Sequence, residues 1–294
     1  MRRLIAEAAR LGYVGVGFEG TMILMRSPLA LAGLFLGLIS GRVWAGGSVC
    51  WVENGVLLVP AVAAGVNGVF ILDTGAAQSQ LDATQASEVG IGAATTTGQV
   101  RLAGRLYPSV QMQVLELDDR TRSFPTPIAG VLASDVLAGQ VLTIEQNPCR
   151  VSLTRPGRSR RVRGAVTLPI ELRAGVPYVR AGVSDGIRSQ AGAFRVDTGG
   201  ALAVTLAPNA APLTRVGGRL RALSIGGVLF ENVSSAPAPE ATSDAIGEPI
   251  WARFSMRLDY VSKTLSLSNP RPTGRSGIKS PSAASRQLPQ RGSN

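Results

Sequence analysis

Short stretches of alternating or β-branched apolar residues recur along the central part of the chain. Four of them are VLLVPAV (56–62), VFIL (69–72), VQMQVLEL (110–117) and VLTIEQ (141–146). Each is short and bounded by Gly, Pro or Asn, which is typical of strands separated by tight turns. Only LDATQASEVG (81–90) favours a helical turn or two. The pattern therefore predicts an all-β protein with short helices.

The pattern repeats itself in the second half of the chain. Residues 55–76 resemble residues 175–200, and both blocks contain a strand that runs into Asp-Thr-Gly. Three further pairs of blocks follow in the same order: GRLYPSV with GGVLFENV at an offset of 123, then GVLASDVL with DAIGEPIW and VLTIEQNPCRVSL with SMRLDYVSKTLSL at an offset of 114. This order indicates an internal duplication. We predict two pseudo-twofold-related β lobes, 46–154 and 165–270, joined by a basic linker at 155–164.

Composition supports a folded core and places the charge outside it. The chain has 294 residues, 45% of them hydrophobic, with 35 Gly and 18 Pro, which suits many strands and turns. The net charge is +11, yet the two predicted lobes together sum to −2, so the excess lies in the linker and the termini. We therefore expect no nucleic-acid partner. The tail 271–294 is predicted to be disordered, and its weak contact with an anionic membrane surface stays open as an alternative.

The sequence contains no histidine, and its two lysines, Lys263 and Lys279, both lie late in the chain. This excludes Ser-His-Asp and Cys-His triads, His-ligated zinc and imidazole acid–base chemistry, and it disfavours Schiff-base chemistry. Hydrolytic chemistry would have to rest on carboxylates. We expect neither a metal nor a cofactor.

The N-terminal region has the pattern of an export signal. An apolar run within 27–40 is preceded by an arginine and followed by a small-residue cleavage site ending at Ala45. Residues 1–45 are therefore predicted to be a secretory signal peptide with an N-terminal extension, and Met22 or Met25 is an alternative start. An uncleaved anchor is the other interpretation. The mature protein is expected in the bacterial periplasm or outside the cell.

Export bears on the two cysteines, Cys50 and Cys149. An oxidising compartment allows a disulfide between them, and two free buried thiols are the alternative.

The repeated Asp-Thr-Gly is the strongest candidate for chemistry. Duplication can bring Asp73 and Asp197 together across a pseudo-twofold axis, with Thr74 and Thr198 fixing the two turns through side-chain hydrogen bonds. Two carboxylates about 3 Å apart cannot both ionise, so they share a proton. One can then act as a base on a bound water while the other acts as an acid toward a carbonyl oxygen.

These motifs resemble those of the pepsin and retropepsin group of aspartic proteases, particularly exported bacterial retropepsin-like proteins. The markers are FILDTGAAQSQLD, FRVDTGG, AGVLASDVL and AIGEPIW, and the resemblance covers about residues 50–270. It implies a bilobed monomer that hydrolyses peptide bonds in an extended peptide or protein held between the lobes. The residues it assigns are the catalytic Asp73 and Asp197, the supporting Thr74, Gly75, Thr198 and Gly199, and the substrate-binding Ala76, Gly200 and Gly98, the last in a flap at 95–104.

Several positions depart from the family pattern. Ala133 replaces a loop glycine that the second copy keeps as Gly247, and Gly200 replaces the usual Ala or Ser. Arg195 either faces solvent or lies on the same side of its strand as Asp197, where it would favour the ionised carboxylate. Asp135, a third carboxylate, is expected to serve a turn.

Two alternatives to an endopeptidase stay open. The departures motivate a catalytically weak, peptide-binding protein of the cell envelope. The other alternative is an unrelated secreted β protein in which Asp-Thr-Gly only makes turns.

Overall fold

The computed structural model describes residues 47–157, 164–208, 213 and 218–269. The predicted signal peptide, the middle of the predicted linker and the predicted tail lie outside the described residues. Within the described ranges, no helix is long and apolar enough to span a membrane.

Nineteen strands and four short helices make up the described chain. The strands of the first half are β1 (Gly47–Val49), β2 (Trp51–Glu53), β3 (Val56–Ala63), β4 (Val66–Leu72), β5 (Gln80–Asp82), β6 (Thr95–Leu102), β7 (Arg105–Leu115), β8 (Ile128–Leu132), β9 (Val141–Gln146) and β10 (Cys149–Thr154). Those of the second half are β11 (Val166–Arg173), β12 (Val176–Ser184), β13 (Ser189–Asp197), β14 (Val204–Leu206), β15 (Arg219–Ile225), β16 (Val228–Pro237), β17 (Ala245–Gly247), β18 (Ser255–Asp259) and β19 (Thr264–Ser268). The helices are α1 (Ala83–Glu88), α2 (Asp118–Thr121), α3 (Ser134–Leu137) and α4 (Glu248–Trp251).

The first lobe is a closed ring of strands in the order β3-β4-β8-β5-β7-β6, in which β6 pairs back to β3. Strand β4 runs parallel to β8, so both deliver their carboxyl ends to one edge of the ring. Gly130 of β8 has a φ of +159° and lies against the backbone of Gln80, where a side chain would clash. Asp82 caps α1 by accepting a hydrogen bond from the Gln85 amide at 3.1 Å, so the predicted helical turn forms there.

The second lobe repeats this ring, strand for strand. Its order is β12-β13-β17-β14-β16-β15, with β15 pairing back to β12. Strands β13 and β17 are parallel, like β4 and β8, and β14 and β16 are parallel, like β5 and β7. Equivalent strands therefore deliver their ends to equivalent edges.

A six-stranded layer, β1-β10-β9-β18-β19-β11, joins the two lobes. At its centre β9 pairs antiparallel with β18, Leu142 opposite Leu258 and Ile144 opposite Met256. The sequence offset of 114 relates Leu142 to Met256 and Ile144 to Leu258, so each pair is the repeat equivalent of the other. The pseudo-twofold axis therefore passes between Thr143 and Arg257, which are paired with each other.

A continuous apolar core fills both lobes, and it contains large, fully buried side chains such as Phe70, Phe194 and Trp251. Cys50 and Cys149 form a disulfide with a Cα–Cα distance of 5.0 Å, which ties the segment between β1 and β2 to the start of β10. The mostly-strand content and the two ring-shaped lobes confirm the predicted all-β, bilobed fold of the acid-protease type with short helices.

Candidate active site

The two aspartates of the repeated motif emerge from the centre of their lobes. Strand β4 is buried over its last three residues, Phe70 to Leu72, and the Asp73 amide then donates to the carbonyl of Leu132 at 2.9 Å. Asp197 is the last residue of β13, where it pairs with Gly247 of β17. Because each motif continues a buried central strand, its carboxylate has little freedom to move. Asp73 and Asp197 are only 4% and 8% exposed.

The two threonines interlock across the lobes. The Thr74 amide donates to Oγ1 of Thr198 at 3.1 Å, and the Thr198 amide donates to Oγ1 of Thr74 at 3.2 Å. Each hydroxyl also donates to a carbonyl of the opposite lobe, that of Thr74 to Val196 at 2.6 Å and that of Thr198 to Leu72 at 2.5 Å. Both side chains are completely buried, so these hydrogen bonds fix the relative position of the two turns.

The glycines that follow the threonines bring each turn against the aspartate of the other lobe. A Cβ on Gly75 would lie 2.7 Å from Cγ of Asp197, and a Cβ on Gly199 would overlap the carboxylate of Asp73. Only glycine allows this approach. The structure therefore brings together Asp73, Asp197, Thr74, Gly75, Thr198 and Gly199.

The carboxylate of Asp73 is held by partners on both oxygens. Its Oδ1 accepts hydrogen bonds from the amides of Gly75 at 2.8 Å and Ala76 at 3.0 Å. Its Oδ2 accepts one at 2.6 Å from Nη2 of Arg120, which comes from α2. The same nitrogen donates to the carbonyl of Gly199, in the other lobe, at 3.2 Å. These three donors fix the orientation of the Asp73 carboxylate.

The carboxylate of Asp197 has a different environment. Its Oδ2 accepts a hydrogen bond from Nη2 of Arg195 at 3.1 Å, whereas its buried Oδ1 has no partner among the described residues. Burial and the charge of Asp73 raise the pKa of Asp197 to about 7, although Arg195 and Arg120 oppose this rise. Of the two expectations for Arg195, the structure realises proximity to Asp197.

The loops beneath the aspartates show why glycine is required in the second copy but can be replaced by Ala133 in the first. Gly247 lies against the backbone of Leu202 and Gly200, where no Cβ would fit. Ala133, its counterpart, has extended backbone with φ −111° and is bound through its amide to the Ser79 hydroxyl at 3.0 Å. Alanine is therefore accommodated at the first position and excluded from the second. Asp135 also binds Ser79, through two hydrogen bonds of 2.6 and 2.8 Å, and so has the structural role that was expected.

A third carboxyl lies below the pair. Glu248, the first residue of α4, is completely buried, and neither of its oxygens has a hydrogen-bond partner of good geometry among the described residues. Burial raises its pKa to about 8; the nearby Gln146 side chain lowers it and Asp197 raises it further. Burial likewise raises the pKa of the Tyr260 hydroxyl, which lies near Ser134. The offset of 114 relates Ser134 to Glu248 and Gln146 to Tyr260, so the two polar pairs occupy equivalent places in the two copies.

The structure also places the residues predicted to bind substrate. Ala76 contributes an amide to Asp73, and a Cβ on Gly200 would lie 3.1 Å from Cγ of Asp197, so both border the aspartates. Gly98 lies in β6 against Ala64, at the turn where β4 begins, and β4 leads away from it to Asp73. Residues 95–104 are built into the ring by pairing with β3 and β7, so the structure does not bring Gly98 to the pair.

Sequence reasoning missed two residues of this site, Arg120 and Glu248. Arg120 lies between two repeat blocks where the offset falls from 123 to 114, so the first copy holds nine residues that the second lacks. That insertion was a usable signal. Glu248 aligns with Ser134 in the repeat. A charged residue in the apolar block of the second copy, where the first copy has a serine, could have pointed to it. The described residues contain no cluster of three or more potential metal ligands.

Comparison with solved structures finds many similar chains, one of which is an aspartic proteinase. The chain is similar to the crystal structure of aspartic proteinase from Irpex lacteus, with a TM-score of 0.46 and 13% identity over 76% of this chain and 97% of that one. No family model and no curated protein matches the chain.

Proposed function

We propose that the protein is an aspartic endopeptidase in which Asp73 and Asp197 activate a water for attack on a peptide bond. The observation that carries the proposal is the interlocked pair of Asp-Thr-Gly turns, with each glycine against the opposite aspartate. Such an arrangement fixes two carboxylates in one buried place and holds their geometry without a metal. The cleft between the lobes would take an extended peptide.

The different surroundings of the carboxylates suggest different roles for them. Asp197 is the carboxyl with the raised pKa, so Asp73, whose Oδ1 accepts two amide hydrogen bonds, is the base that would take a proton from the water. Asp197 holds a proton below about pH 7, so it would donate that proton to the carbonyl oxygen of the scissile bond. Activity is therefore expected at mildly acid pH and should be lost as the pH rises through about 7.

The test is cleavage of a peptide library by the mature protein between mildly acid and neutral pH, with and without a pepstatin-like transition-state mimic. Asp73→Asn is expected to lower kcat/KM by about a thousandfold or more, because it removes the base. Asp185→Asn, in the turn between β12 and β13, is the matched control and should cleave like the wild type. Activity that Asp73→Asn leaves unchanged would refute the proposal.

One observation favours a second candidate, a peptide-binding protein of the cell envelope with little or no turnover. An arginine binds Oδ2 of each aspartate. In the unliganded protein these arginines therefore offset the negative charge of the carboxylates and occupy the oxygens that a catalytic water would contact. Tight binding of peptides that no variant or pH converts into cleavage would support this candidate over the endopeptidase.

A further inference from the structure

Arg120 occupies the gap between the two lobes. One nitrogen, Nη2, bonds Asp73 of the first lobe and the Gly199 carbonyl of the second. A ligand whose scissile bond is to reach the aspartates must enter this gap. The side chain of Arg120 is nevertheless 36% exposed, so a ligand can reach the guanidinium.

The insertion that carries Arg120 is anchored at both ends. Leu117 is buried in a small apolar cluster on the outer side of β3, β4 and β8, and Phe124 packs against the same cluster. Asn54 donates to the carbonyl of Ser123 at 3.1 Å, which adds a polar tie. The backbone of α2 is thus held in place, so a movement of Arg120 away from Asp73 would have to come from its side chain.

Catalysis and the Arg120 contact compete for the same atom. Oδ1 of Asp73 is already bound by two amides, so Oδ2 is the oxygen left to hold a water, and Arg120 binds it. Removing a guanidinium from a buried carboxylate is unfavourable, so opening requires a second anion that receives the guanidinium and offsets part of this cost. A carboxylate on the ligand meets this requirement, because Arg binds carboxylates through planar, charge-assisted hydrogen bonds.

We propose that Arg120 is a latch that closes the aspartate pair in the free protein, and that a carboxylate of the substrate opens it. The site then selects peptides with an acidic side chain next to the scissile bond. This inference rests on the proposed function, since it names the substrate class of that site. Arg120 is a specificity-determining residue that releases Asp73 when its guanidinium turns to the substrate.

The experiment uses two statine-containing peptides that differ only in Glu or Gln at the residue before the statine. Binding is measured by calorimetry at pH 6, where a peptide Glu is ionised and Asp197 is expected to hold its proton. Wild type should bind the Glu peptide about tenfold or more tightly than the Gln peptide. Arg120→Gln should abolish this preference and bind the Gln peptide more tightly than wild type does, because nothing closes the gap.

Arg122→Gln is the matched control, since Arg122 lies beside the same helix but pairs at the surface with Asp119. It should behave like the wild type. Arg120→Lys, which keeps the charge but not the planar fork, should retain a reduced preference. Thermal unfolding of each variant shows that it is folded.

The outcomes separate the latch from the proposed function. Equal binding of the two peptides by wild type, or a preference that survives Arg120→Gln, overturns the latch and leaves the endopeptidase standing if matching peptides with an ordinary peptide bond in place of the statine are cleaved. Failure of both peptides to bind any variant overturns the two proposals together.

Discussion

The two halves of the site share their scaffold and differ in their charges. Thr74 and Thr198 make matching hydrogen bonds to the opposite lobe, and Gly75 and Gly199 lie against opposite aspartates. The arginines, in contrast, have no counterparts. Arg195 comes from the strand that carries Asp197, at a position where the first copy has Ile71, and Arg120 comes from an insertion that the second copy lacks.

This contrast shows where duplicated halves are free to diverge. A change in either threonine alters both turns, because each hydroxyl serves the other lobe. A charged side chain added from outside the interlock changes the protonation of one carboxylate while the backbone geometry stays. Arg195 and Arg120 both lower the pKa of Asp197 in this way, although burial and the charge of Asp73 still raise it to about 7.

The shared scaffold makes the first prediction. Thr74→Val and Thr198→Val should each lower the free energy of unfolding by about 2–4 kcal/mol, since each leaves a buried amide and a buried carbonyl of the opposite lobe unpaired. The two losses should be similar. Denaturant unfolding measures them, and Thr74→Ser and Thr198→Ser, which keep the hydroxyl, should restore most of the stability. A large difference between the two valine variants would break the symmetry of the interlock.

The buried carboxyl below Asp197 makes the next prediction. Because the pKa of Glu248 is raised in the folded protein to about 8 from 4.5, the unfolded chain ionises first as the pH rises. The free energy of unfolding should therefore fall between about pH 4.5 and 8, by an amount on the order of 1.4 kcal/mol per pH unit. Glu248→Gln should remove the part of this slope that Glu248 contributes, leaving the part that the raised pKa of Asp197 contributes up to about pH 7, and it should be the more stable protein at pH 8. Its advantage should vanish near pH 4.5.

Urea unfolding at a series of pH values measures this slope. Glu231→Gln, at an exposed position of β16, is the matched control and should keep the wild-type slope. Parallel pH profiles for wild type and Glu248→Gln would contradict the assignment.

The smallest effect concerns Arg195. Its charge lowers the pKa of Asp197, so Arg195→Gln should raise that pKa and extend the protonated range of Asp197 to higher pH. The carboxyl carbon of Asp197, followed by 13C NMR, reports this pKa directly and needs no turnover. Arg180→Gln, on the exposed face of neighbouring β12, should leave it unchanged. A pKa that falls or stays the same in Arg195→Gln would show that the contact does not tune the carboxyl.

Much of the fold could be predicted because the sequence carries it twice. Short β-branched runs and the Gly, Pro and Asn residues between them indicate strands without reference to distant residues. The repeat then indicates which runs occupy equivalent places, since the offset of 114 that aligns VLTIEQ with its counterpart also relates the paired residues of β9 and β18.

The site was less accessible to such reasoning. The aspartates, threonines and glycines follow from the duplicated motif, but Arg120 reaches Asp73 from a segment 47 residues along the chain with no periodic pattern. Its contact depends on how Leu117 and Phe124 pack. The position of Gly98 also depends on pairing, because β6 joins β3 to close the ring and carries that glycine to the far end of β4.

The disulfide has a consequence for the covalent integrity of the molecule. Cys50 and Cys149 are 99 residues apart and enclose nearly the whole first lobe, including Asp73 and the 116–127 segment with Arg120. A single proteolytic nick in that segment would leave both pieces covalently joined, with Asp73 upstream of the cut and Asp197 downstream of it. The two aspartates would separate only after reduction, so a nicked chain in an oxidising compartment remains one molecule.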